Sequence, residues 1–346
     1  MRRREFITLL GGAAAWPLVA RAQQPAMPVI GFLTSRGADE EPQLLAAVRQ
    51  GLKETGFVEG QNVAIEYRFA EMRNERLPAL AADLVQRQVT LIVATTTLAA
   101  LAAKAATTTI PIVFETGGDP IRLGLVASLN QPGGNVTGVT SLNVVVIPKR
   151  LELLHELVPA ATLVAVLIDA NDPANRETTT RELQAAARSL GLQLHFLNAS
   201  AERDFDAVFT TVVQMGAGGL VIGSGVFFLS RSEQLAASAV RHAVPTVFES
   251  REFVAAGGLA SYSASLADSY RLTGIYAGRV LKGEKPGALP VQQGTKVELF
   301  INLKTAKTWR YCSSPLVRPR RRAVRVTQVS APNIAAPAHF RLCAGF

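Results

Sequence analysis

From residue 28 onward, runs of apolar, β-branched residues alternate with Ala- and Leu-rich stretches of helical period. Residues 28–34 (PVIGFLT) read as a strand buried on both faces. Residues 40–56 read as a helix, with Leu44, Leu45, Val48 and Leu52 on one face and Gly56 at the stop. The alternation continues with strand 62–69, helix 75–88, strand 91–94, helix 98–106 and strand 110–114. It then runs again: helix 149–158, strand 163–168, helix 174–190, strand 192–197, helix 204–215, strand 219–222, helix 230–242, strand 244–248 and helix 266–281. Strands joined through helices pair in parallel, and the helices cover both faces of the sheet. The pattern therefore predicts an α/β protein.

An internal echo divides it. Residues 110–115 (IPIVFE) return as 244–249 (VPTVFE), an offset of 134 residues. The strands LIVAT (91–95) and LVIGS (220–224) precede them, and GLVAS (124–128) and GLAS (258–261) follow. An ordered set of matches predicts two lobes built on one plan, as expected for 346 residues, more than a single core sustains. Residues 135–141 (NVTGVTS), after the turn 131–134 (QPGG), are expected to cross from the first lobe to the second. Residues 262–265 would cross back, and 289–291 with 296–301 would complete the sheets and make a third crossing. This assigns 23–141 plus about 263–288 to lobe one, 142–262 to lobe two and 289–307 to a hinge segment.

Charge changes the picture only at the ends. Residues 1–22 carry Arg2, Arg3 and Arg4, an apolar run over 6–19, and small residues Ala20 and Ala22 around Arg21. This is the layout of a secretory signal, and Arg3 to Ile7 also fits a twin-arginine signal. No lipobox cysteine follows, so a soluble periplasmic protein is expected. Residues 308–346 hold seven Arg, no Lys and no acid, together with Cys312, Cys343 and Trp309. The two ends thus carry all of the net charge of +9, and the body is near neutral. A nucleic-acid partner is not expected. The body has no cysteine and so no disulfide, thiolate metal site or cysteine nucleophile. A monomer is expected.

Ligands of open α/β sheets bind beyond the carboxyl ends of the strands. Those ends carry Ser35, Thr95, Thr96, Thr97, Glu115, Gly117 and Asp119 in the first half, and Asp169, Asn171, Asp172, Ser224, Gly225 and Glu249 in the second. Hydroxyls and free N–H groups at a helix start suit a carboxylate; an amino group would want an acid opposite. This is the equipment for a small zwitterion held between lobes. Each residue also reads as an ordinary cap, most plainly Asp119 before Pro120 and Asp172 before Pro173. Phe32, Phe114, Phe227, Phe228 and Phe248 read as core, with Tyr262 as a wall of the site. His155, His195, His242 and His339 stand alone, and neither HExxH, G-x-S-x-G nor a P-loop is present. No metal, cofactor or catalytic residue is expected.

Taken together, IGFLTS (30–35), GLKETGFVEGQNVAIEYRFAE (51–71), IPIVFETGGDPIRLGLVASLNQPGGNVTGVTSL (110–142), ESREFVAAGGLASY (249–262) and VELFINLKTAK (297–307) resemble the substrate-binding proteins of ABC transporters. Relatives of that kind include binders of aromatic amino acids. The resemblance implies a type I periplasmic-binding-protein fold: two doubly wound, Rossmann-like lobes joined by a three-crossing hinge, with no catalysis. Ser35, Thr96, Thr97, Gly117 and Asp119 would face the cleft from one lobe, and Asn171, Ser224, Glu249 and Tyr262 from the other. An ABC permease in the inner membrane would be the partner. The chain departs from the pattern at Thr95-Thr96-Thr97, where Pro or Ala and often Gly-Thr are usual. It departs again at Gly223-Ser224-Gly225, where a Ser-Asp-Pro-like stretch is common. After Lys307 the family continues with a Leu-rich helix, paired prolines and an acidic end, so a frameshift near Lys307 is expected; the rival reading of this tail is a basic anchor for anionic lipid. The rival readings are a doubly wound enzyme using Glu115 and Glu249 as acid and base, and a sensory domain for a membrane signalling partner.

Overall fold

A computed structural model describes residues 27–39, 42–294 and 296–308. The expected signal (1–22) and residues 309–346 of the basic tail lie outside the described residues. The first lobe is built from β1 (Val29–Thr34), α1 (Pro42–Glu54), β2 (Ala64–Phe69), α2 (Leu77–Gln86), β3 (Leu91–Thr95), α3 (Thr97–Ala106), β4 (Ile112–Thr116) and β5 (Val136–Thr140). The second follows with α4 (Ile147–Leu157), β6 (Leu163–Asp169), α5 (Pro173–Leu190), β7 (Gln193–Ala199), α6 (Asp204–Gln214) and β8 (Leu220–Ile222). It continues through α7 (Val226–Ser230), α8 (Ser232–Arg241), β9 (Thr246–Phe248), α9 (Arg251–Ala255) and β10 (Ala260–Ala264). The chain returns to the first lobe with α10 (Leu266–Leu281) and β11 (Gln292–Gln293), and ends in the second with β12 (Val297–Ile301) and α11 (Leu303–Thr308).

The sheets run β2-β1-β3-β4-β5-β11 and β7-β6-β8-β9-β10-β12. Every pairing is parallel except β10 with β12. Parallel strands are covered on both faces, which is why β3 and β4 are buried along their whole length and carry no polar alternation. Each sheet accordingly has two hydrophobic layers, one per face. The echo has a structural meaning: β4 and β9 hold the same place in their sheets, so Glu115 and Glu249 sit at equivalent carboxyl ends.

Three short connections join the lobes, at 141–146, at Ser265 and between β11 and β12. They are tied to one another. Asn143 Oδ1 accepts from Ala264 N at 2.8 Å. Ser265 N donates to Lys296 O at 2.8 Å, and Gly294 N to Thr140 O at 2.8 Å. Helix α10 is clamped to α1 by close approach: a Cβ on Gly274 would lie 2.1 Å from Val48 O, and one on Gly51 would lie 1.9 Å from Arg271 O.

The structure differs from the sequence reading in detail. Residues 260–264 are a strand of the second sheet, and the crossing itself is confined to Ser265. The strand expected at 289–291 falls on Gln292–Gln293, a polar pair without an apolar signal. Helices α7 and α9 are each 5 residues long, too short to display a period.

Candidate functional site

In each sheet the strand order reverses once, between β1 and β3 and between β6 and β8. At such a switch point the outgoing connections lie on opposite faces and leave a crevice at the strand ends. The two crevices face each other and enclose a cavity of about 280 Å³. That size, near the lower end of the range of about 300–1,000 Å³ for organic ligands, suits a small molecule.

The first lobe contributes hydroxyls around a helix start. Thr96 caps α3 by accepting from Ala99 N at 3.3 Å, and its Oγ1 lies 3.0 Å from Ser35 Oγ. Thr97 Oγ1 lies 2.7 Å from Thr116 Oγ1. The first amides of α3 and its dipole give this wall positive character. Arg36 and Glu115, both buried, also line it.

The second lobe contributes a carboxylate. Asp169 ends β6, is 5% exposed and lines the cavity. Burial pushes its carboxyl up to about 6; the bond from Asn171 N at 2.9 Å opposes the shift, and Asp172 nearby adds to it. Gly225 makes room for it, since a Cβ there would lie 2.8 Å from Asp169 Oδ2. Phe227, half-buried and 5.5 Å from the Phe205 ring centre, gives the cavity an aromatic face. Leu98 of α3 and Val144 of the first crossing add apolar surface.

Glu249 is differently placed. Arg150, fully buried on α4, donates from Nη2 to Glu249 Oε2 at 3.1 Å and from Nη1 to Ser224 Oγ at 2.9 Å. Ser224 donates to the same carboxylate oxygen at 2.6 Å. Glu249 is thus neutralised inside the protein, and Asp169 is the more available acid.

Of the residues expected from sequence, Ser35, Thr96, Thr97, Gly117, Asn171, Ser224 and Glu249 line the cavity. Asp119 does not. Its Oδ1 accepts from Ile121 N at 2.9 Å, as a turn cap does, and it faces a separate groove with Arg122 and Arg181. Nor does the Tyr262 ring, which packs against the core cluster of Leu151, Leu154 and Val247; only its carbonyl takes part, accepting from Arg150 Nε at 2.8 Å. Phe227 takes the wall position expected of Tyr262. Arg150 and Asn143 were not foreseen. A signal existed for Arg150: it shares a helix face with Ile147, Leu151 and Leu154, where a charge has no reason to be unless it is paired.

Across the cleft mouth, Arg122 Nη1 meets Glu182 Oε1 at 3.0 Å and Asn74 Nδ2 donates to Asn171 O at 3.4 Å, so the lobes touch.

Comparison with known proteins agrees with this architecture. The family model described as ABC transporter substrate binding protein matches residues 32–312, and the chain belongs to that family. A tyrosine-binding protein of Clostridioides difficile (strain R20291) is 27% identical over 271 residues, covering 78% of this chain and 77% of that one. The ABC domain from Streptococcus pneumonia solved in complex with L-Trp is 26% identical, with a TM-score of 0.74 over 82% of this chain and 95% of its own. The ligand-free, open structure of a substrate binding protein with adhesive properties from Clostridium difficile shares the fold, with a TM-score of 0.64 at 22% identity over 88% of this chain and 100% of its own. Family and fold are those of binding proteins and not of enzymes.

Proposed function

We propose that this ABC transporter substrate-binding protein closes its two lobes on a small zwitterion with an apolar, aromatic side chain, an amino acid of the tryptophan or tyrosine kind. One observation carries the reading: the cavity sets a hydroxyl-rich helix start on one lobe against the buried Asp169 on the other. The carboxylate would meet the α3 amides with Ser35, Thr96 and Thr97, the ammonium would meet Asp169, and the side chain would lie against Phe227. Closure trades water for contacts from both lobes, so the open–closed equilibrium is part of the affinity. The similarity to proteins named for tyrosine binding and solved with L-Trp supports the ligand class.

Export by the N-terminal signal and delivery to an ABC permease of the inner membrane complete the reading. Growth or uptake on the amino acid, lost when the gene is deleted and restored by the full chain, separates delivery from sensing. The binding claim is tested by calorimetry and thermal shift with L-tryptophan, L-tyrosine, tryptamine and indole-3-propionate. Ligand at one hundred times its Kd adds about 2.7 kcal/mol of stability. Only the zwitterions should do so. Equal binding of indole-3-propionate would remove Asp169 from the site.

A further inference from the structure

Arg150 makes more hydrogen bonds than the neutralisation of one carboxylate requires. Its Nε donates to Tyr262 O at 2.8 Å, in the middle of β10, and its Nη2 to Asn143 O at 3.1 Å, in the first crossing. The other edge of the same planar group holds Ser224 and Glu249, two walls of the cavity. Asn143 in turn holds Ala264, the last residue before the second crossing. One rigid guanidinium therefore joins the cavity wall to the first crossing directly, and to the second through β10 and the Asn143–Ala264 bond.

We infer that Arg150 is a positioning residue that couples the ligand cavity to the hinge. Resting on the proposed ligand-induced closure, the inference adds where that closure is transmitted. A guanidinium presents five donors in a fixed fork, and here four acceptors sit on it at once. The Ser224–Glu249 wall then cannot shift without drawing on the Asn143 carbonyl of the first crossing and on the Tyr262 carbonyl of the strand that leads into the second. A ligand that presses on that wall acts on the hinge directly. Lysine could keep the charge beside Glu249, but its single ammonium has three donors and cannot span the same acceptors.

The test uses the full chain with Cys312→Ser and Cys343→Ser, spin-labelled through Lys53→Cys on one lobe and Gln214→Cys on the other, both exposed positions. Interlobe distance distributions are recorded by pulsed electron resonance, without ligand and with L-tryptophan. Arg150→Lys should broaden the ligand-free distribution and weaken L-tryptophan binding at least tenfold. Leu154→Ala, a buried truncation on the same helix, should lower Tm yet leave the ligand-free distribution as in the parent. Should Arg150→Lys not fold, Arg150→Met with Glu249→Gln removes both buried charges and is read the same way. A parent-like ligand-free distribution in the Arg150 variant overturns the inference, as does Leu154→Ala reproducing its broadening. If the parent binds neither L-tryptophan nor L-tyrosine, the ligand reading fails, while the ligand-free distributions still decide the hinge.

Discussion

Replacing Asp169 by Asn should make the empty protein more stable and the ligand weaker. Asn is nearly the same shape, and its Oδ1 can still accept from Asn171 N. What changes is the charge. Burial raises the carboxyl from an ordinary 3.8 to about 6. At about 1.36 kcal/mol for each tenfold change in proton affinity, the ionised form costs the folded state about 3 kcal/mol at neutral pH. The sign follows from proton binding. Between pH 4 and 6 the folded state holds the proton and the unfolded state does not, so this stability is present below about pH 4 and lost as pH rises through about 6. Scanning calorimetry of the ligand-free protein from pH 4 to 8 should therefore show Asp169→Asn melting with its parent at the acid end. Above pH 7 it should melt on the order of 5 °C higher. L-tryptophan should bind the variant roughly 10- to 100-fold more weakly at pH 7.5, the loss of one charge-assisted hydrogen bond of about 1.5–3 kcal/mol. The parent's affinity should fall as pH drops below about 6, while the variant's stays flat. A variant that melts lower at pH 7.5, or that binds L-tryptophan as tightly as the parent, refutes the reasoning.

Other perturbations reach neighbouring parts of the site. Gly225→Ala puts a Cβ 2.8 Å from Asp169 Oδ2 and should displace that carboxylate, weakening L-tryptophan binding in calorimetry with a small change in Tm. Arg150→Met strands the buried Glu249 and should cost about 3–5 kcal/mol in urea unfolding, most of it recovered by adding Glu249→Gln. Phe227→Ala should weaken L-tryptophan by about 1–2 kcal/mol and L-alanine hardly at all, measured side by side.

Much of this was legible in advance because it is local. Apolar runs such as VIGFLT and LIVAT have one stable use, a strand buried on both faces, and the repeated IPIVFE and VPTVFE placed two such strands on one plan. The strand-end rule then pointed to Ser35, Thr96, Thr97, Asn171, Ser224 and Glu249, all of which meet in one cavity. The rule has no means of ranking them. Asp119 lies on the same kind of loop, but its carboxylate is satisfied by its own turn. Tyr262 sits on a strand whose pleat sends its ring to the core.

The succession of most strands and helices and the near-neutral, cysteine-free body follow from composition and periodicity, which act over a few residues at a time, and the two-lobe plan from the repeated segments; the order of the strands within each sheet was decided only by the fold. Which acid is free for the proposed ligand depends on what else is buried with it. Glu249 and Asp169 look alike in one dimension, and they part only when α4 brings Arg150 from 99 positions away along the chain to one of them and not to the other. In a buried setting, where charge is weakly screened, that single guanidinium decides which carboxylate is spent on the protein's own structure and which remains for the ammonium of the proposed ligand.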